Sequence, residues 1–118
     1  MEQILREVHG DEVRLITAGI GDDGDLLIEE QTDGAMTVLA YGALTCVRKL
    51  VVHKDQVDAA AWALGICDAP EWGAVKALKK LFSEEDRYLS DIQDMFDAGG
   101  VHYTYAVTCG NDLAYRLG

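Results

Sequence analysis

Apolar and polar residues alternate in short runs through the first half of the chain. Val13–Ile20 is rich in β-formers, Gly21-Asp22-Asp23-Gly24 is a turn sequence, and Leu26–Gln31 returns, so residues 13–31 read as a hairpin. Thr32-Asp33-Gly34 marks the next turn, and Met36–Tyr41 and Cys46–Val52 read as two further strands joined around Gly42. Residues 2–9 fit a strand or a short helix equally well. Neighbouring strands joined this closely pair antiparallel.

After His53 the period changes from two to 3.6. Asp55 is placed to cap a helix running to about Ile66, with Val57, Ala60, Ala61 and Leu64 on one face. A second helix starts near Glu71, after Pro70. Its stripe is Val75, Leu78, Leu81 and Phe82, with Lys76, Lys79 and Lys80 toward water. Ser83 reads as the start of a third helix, with Asp86 in the capping-box position, Leu89, Ile92, Met95 and Phe96 inward, and Gly99-Gly100 as its end. In Val101–Cys109, Val101, Tyr103, Tyr105 and Val107 alternate with His102, Thr104, Ala106 and Thr108, which is a strand with one face on a core. The expected fold is α+β: an antiparallel sheet of about four to five strands with about three helices packed on one face, in the order β-β-β-β-α-α-α-β. Where the last strand joins the sheet stays open.

At 118 residues, with half of them hydrophobic, the chain is sized for one domain, 1–118, with a core of its own. No apolar run approaches the roughly 20 residues that span a bilayer, and the N-terminus lacks a signal-peptide pattern. Cys46, Cys67 and Cys109 are odd in number, widely spaced and set among apolar residues, so three reduced thiols and a cytoplasmic location are expected. The formal charge of −11 disfavours direct contact with nucleic acid or anionic lipid, which needs a basic face.

Several patterns imitate catalytic or ligand sites. Gly19-Ile20-Gly21-Asp22-Asp23-Gly24 matches GxGxxG, yet it leads into a strand instead of a helix N-terminus, and its carboxylates would repel a pyrophosphate. A calcium loop started at Asp23 has Leu27 at position 5, and one started at Asp22 has Gly24 at position 3; neither supplies the oxygens needed. Cys46 and His53 are seven apart, as are His102 and Cys109, so on a strand each pair points to opposite faces and cannot form a nucleophilic dyad. A cross pair such as Cys46 with His102 depends on strand order. Cysteine and histidine spacings match no zinc site. Most carboxylates fall on turns or outer helix faces, where solvation is the simplest role, so neither an enzyme nor a cofactor is expected. Trp62, off the apolar stripe of its helix, is expected to pack under a neighbouring loop, with a partner-anchoring role as the alternative.

Gly21–Gln31, GDDGDLLIEEQ, resembles the hairpin of small uncharacterised bacterial acidic α+β proteins. The later segments Asp55–Leu64, Ala77–Phe82, Ile92–Phe96 and Val101–Tyr105 are similar in layout. The resemblance implies the same α+β fold; the group has no known activity, and no catalytic residue follows from it.

Charge is segregated along the chain. Between Arg14 and Arg48 lie Asp22, Asp23, Asp25, Glu29, Glu30 and Asp33 and no base; from Leu81 to Tyr115 lie Glu84, Glu85, Asp86, Asp91, Asp94, Asp97 and Asp112 against Arg87 alone. An acidic face steers a basic partner. The expectation is a non-enzymatic acidic interaction protein that binds and occludes a basic protein surface, such as a nuclease or a nucleic-acid-handling complex, in the manner of immunity proteins or anti-CRISPR inhibitors. Its expected contact residues are the acids of the first stretch together with Glu84, Glu85, Asp86, Asp91 and Asp94. The alternative is a small ligand-binding module or enzyme with a pocket between sheet and helices.

Overall fold

The computed structural model describes residues 2–34, 45–65, 72–84, 88–109 and 112–117. Six strands, β1 (Glu2–His9), β2 (Glu12–Ile20), β3 (Leu26–Asp33), β4 (Thr45–Val52), β5 (Thr104–Cys109) and β6 (Asp112–Leu117), form one sheet in the spatial order β1-β2-β3-β4-β5-β6. Every pairing is antiparallel. Between β4 and β5 come a 3₁₀ turn (Lys54–Gln56) and three helices, α1 (Val57–Ala63), α2 (Trp72–Glu84) and α3 (Leu89–Ala98). The class is α+β, with four strands, three helices and a returning strand in that order, after which the chain adds β6.

The returning strand joins at β4. Its register sets Leu50 opposite Tyr105 and Arg48 opposite Val107. The ladder begins at Thr104, and the preceding Val101 and Tyr103 are already buried. Residues 2–9 take the strand alternative, with a register shift between Gln3 and Leu5. The expected strand Met36–Tyr41 lies outside the described residues.

The period-two pattern determines which face is covered. Ile16, Ala18, Leu26, Ile28, Leu50 and Val52 are fully buried and pack against Val57, Ala60, Leu78, Leu89, Ile92 and Phe96 of the helices. Phe96 meets Tyr103 at 5.8 Å between ring centroids. Lys76, Lys79 and Lys80 sit on the exposed side of α2, as its stripe requires.

Three local expectations are corrected. Asp55 falls in the 3₁₀ turn, where its backbone N–H donates to His53 Nδ1, and the α-helix proper ends at Ala63. Ser83 belongs to α2; its hydroxyl donates to the Lys80 carbonyl within the same helix, a local bond that suits a helix end as well as a start. The third helix begins at Leu89, and Asp91 serves it instead, its Oδ2 accepting from the Tyr88 N–H at 2.8 Å. Trp62 is 60% exposed on α1, because its position turns away from the Val57–Ala61 face.

The thiol expectation is corrected too. Cys46 and Cys109 occupy directly opposed positions on β4 and β5, with Cα atoms 4.1 Å apart, and form a disulfide across 63 residues of sequence. The pairing arises from strand order, which sequence spacing does not reveal. It also removes free thiols as an argument for a reducing compartment. No helix among the described residues is long and apolar enough to cross a membrane.

Candidate functional site

The β2–β3 turn carries the first acidic group. Gly21 N–H donates to the Asp25 carbonyl at 2.8 Å and Gly24 N–H to the Gly21 carbonyl at 2.9 Å, closing a tight turn. Gly24 has φ +89°, a left-handed conformation that a residue with a Cβ adopts only with strain. Asp23 Oδ1 accepts from the Asp25 N–H at 3.2 Å, and Asp25 Oδ1 accepts from the Lys54 N–H at 2.9 Å. Asp25 thus ties the hairpin to the 3₁₀ turn and is half-buried, whereas Asp22 and Asp23 are exposed at the tip. These bonds hold the turn in one shape and leave two carboxylates facing solvent.

The remaining acids of the first stretch divide between the two sheet faces. Glu29 lies on the face away from the helices, 3.8 Å from Lys49 Nζ on the adjacent strand. Asp33, on the same face, accepts from Gln31 Nε2 at 3.1 Å and from the Thr45 hydroxyl. Glu30 points the other way, under the helices, and is 3% exposed. It is therefore removed from the expected contact surface. Parity along β3 dictates this, since Leu26, Ile28 and Glu30 share the inward face.

Glu30 is the centre of an interior ion network. Arg14 Nε lies 3.2 Å from its Oε2 and Arg48 Nη1 3.2 Å from its Oε1. The Leu89 N–H, at the start of α3, also donates to Oε2 at 3.3 Å. Arg14 Nη1 donates to Glu7 Oε1 at 2.8 Å, and Arg48 Nε to the Tyr105 hydroxyl at 2.8 Å. The Arg14 guanidinium also lies over the Tyr88 ring at 4.5 Å and the Phe82 ring at 5.8 Å. Two bases thus meet two acids, so desolvation of the ions is offset by charge-assisted hydrogen bonds. Both oxygens of Glu30 are engaged, which suits a structural tie between sheet and helices.

The network is the feature sequence reasoning missed. Its signal was present: Arg14, Glu30 and Arg48 fall on the inward parity of three adjacent strands, in line with Ile16, Ile28 and Leu50.

In the second acidic stretch, Asp91 is half-buried and engaged in capping α3, and Asp94 is exposed on the same helix. Asp97 Oδ1 accepts from the Tyr103 hydroxyl at 2.9 Å. Glu84 ends α2, and Glu85 and Asp86 lie outside the described residues. The structure therefore leaves Asp22, Asp23 and Asp94 as described, exposed carboxylates of the expected set. Among the described residues, no group of three or more His, Cys, Asp and Glu side chains could hold a metal ion. Compared with known proteins, the chain matches no family model, no curated protein and no solved structure.

Proposed function

We propose that this is a non-enzymatic interaction protein that binds and occludes a basic protein surface through its acidic hairpin tip. The observation that carries the reading is the contrast between the tip and the network. Arg14 and Arg48, the two bases flanking the acid-rich stretch, both turn inward to Glu30, while Asp22 and Asp23 project from a turn fixed by its own hydrogen bonds. The stretch therefore presents two exposed carboxylates at its apex, with the Lys54 side chain lying against the turn at Gly24, on a preorganised element. Exposed carboxylates in that state imitate the phosphates that a nucleic-acid-handling protein binds, and their field accelerates encounter. A nuclease or a component of a nucleic-acid-handling complex is the partner class that fits, and an immunity-protein-like or anti-CRISPR-like inhibitor is the corresponding role.

The test is capture on immobilised protein at low salt, comparing wild type with Asp22→Asn/Asp23→Asn. The reading expects basic proteins held by wild type, released by added salt, and held far less by the variant. Equal retention by both proteins contradicts it.

A further inference from the structure

The helices cover one face of the sheet, and among the described residues no element packs on the other. That open face is built from the odd-parity residues of β2, β3 and β4. Leu15, Leu27, Val47 and Val51 are partly buried there, and Val8 at the β1 edge is 50% exposed. Its charge departs from that of the chain. A molecule with net charge −11 has on this face two bases, Arg6 and Lys49, and two acids, Glu29 and Asp33, among its described residues. A face of balanced charge, with Leu15, Leu27, Val47 and Val51 among its threonines and glutamines, is suited to being covered.

We infer that this face is the interface of a homodimer, in which two sheets pack face to face. The occupant follows from charge and shape. A basic partner gains little from a neutral surface, whereas a second copy of so acidic a chain is repelled at its acidic surfaces. The area is adequate. Six strands at about 4.8 Å spacing and about eight residues at about 3.3 Å rise give a footprint of roughly 29 by 26 Å. That approaches the roughly 800 Å² that each partner contributes to a standard interface.

The register gives the geometry. The midline of the sheet runs between β3 and β4, and Glu29 and Lys49 face each other across it. A two-fold axis parallel to the strands, between the two sheets and over this midline, lays β3 of one copy over β4 of the other. Glu29 then faces Lys49 of the partner subunit, and Lys49 faces the partner's Glu29. In the next row, Leu27 falls over the partner's Val51. The in-plane axis at right angles would instead set Glu29 on Glu29. The self-complementary arrangement is thus selected by one ion pair, with the usual sheet-packing rotation of about 30° superposed. This interface is independent of the acidic tip and leaves it exposed.

The test is the mass in solution by light scattering or sedimentation, with thermal melts to verify folding. Wild type is expected at twice the 12.9 kDa chain mass. Glu29→Lys alone sets lysine against lysine between copies, and Lys49→Glu alone sets acid against acid; each is expected to raise the dissociation constant at least tenfold. Mixing the two variants restores both intermolecular contacts while leaving the pair inside each chain mismatched, so the mixture is expected to dimerise. Leu15→Arg, away from the pair, is expected to be monomeric as well. A wild-type monomer at about 100 μM, where even a weak specific interface with a micromolar dissociation constant is occupied, overturns the inference. Single variants with the dissociation constant of wild type, or a mixture no tighter than either variant alone, overturn it equally. None of these outcomes bears on the acidic tip, whose own test is salt-dependent capture.

Discussion

Glu30 Oε2 accepts a hydrogen bond at 3.3 Å from the backbone N–H of Leu89, 59 residues further along the chain. A strand carboxylate therefore receives one of the orphan N–H groups at the start of α3, where the helix dipole favours negative charge. Because Arg14 and Arg48 grip the same carboxylate, β2, β3, β4 and α3 are joined at one point.

Glu30→Ala should be among the most damaging substitutions of a charged residue. It leaves two guanidinium groups, with side chains only 12% and 16% exposed, without their shared counter-ion. Breaking a buried ion network costs on the order of 3 kcal/mol, or roughly 12 °C in melting temperature for a chain of this size. Chemical denaturation measures it, and a loss below about 1 kcal/mol would show that the network contributes little net stability.

The Cys46–Cys109 disulfide should leave one reactive thiol per chain, that of Cys67, in unreduced, denatured protein. Closing a loop of 63 residues restricts the unfolded chain by about 4 kcal/mol in the chain-entropy treatment. Reduction should therefore lower the melting temperature by several degrees or more. Three reactive thiols before reduction would contradict the pairing.

Much of this fold is legible in the pattern of residues. Alternation placed β2, β3, β4 and β5, and the stripe Val75, Leu78, Leu81, Phe82 placed α2. What was missed follows from non-local pairing or from local ambiguity. The disulfide needed the neighbourhood of β4 and β5. The network needed charged residues to be read by parity, since Glu30 looks like its outward-facing neighbour Glu29 until the inward face is assigned. Ser83 looked like a cap because serine forms similar local bonds at both ends of a helix. For β6 the signal was present in Gly110-Asn111, a two-residue hairpin sequence, followed by alternating Leu113, Tyr115 and Leu117. At the candidate site, the exposed tip was readable from turn chemistry; the different role of Asp25 was not, because its acceptor bond reaches Lys54 on a separate element.

That difference divides the hairpin acids by experiment. Asp22→Asn/Asp23→Asn should change stability by no more than about 1 kcal/mol, since exposed charges contribute little. Asp25→Ala removes the acceptor for the Lys54 N–H and should cost about 1 kcal/mol, the net worth of a typical hydrogen bond. Denaturant titration distinguishes them, and a large loss from the Asp22/Asp23 pair would make the tip a structural element.

Truncation after Gly100 deletes Tyr103 and strands β5 and β6, exposing Leu50 and the edge of β4. The product should be unfolded or aggregating. A cooperative, near-native melt would contradict the place of β5 in the sheet.

The most direct test of the acidic-tip account is the association rate constant, measured at two ionic strengths, with a basic protein retained on the immobilised chain. If Asp22 and Asp23 steer the partner, wild type associates faster at low salt. Asp22→Asn/Asp23→Asn then associates severalfold more slowly there, with a flatter salt dependence and little change in dissociation. Equal association of the two proteins at low salt would contradict the account.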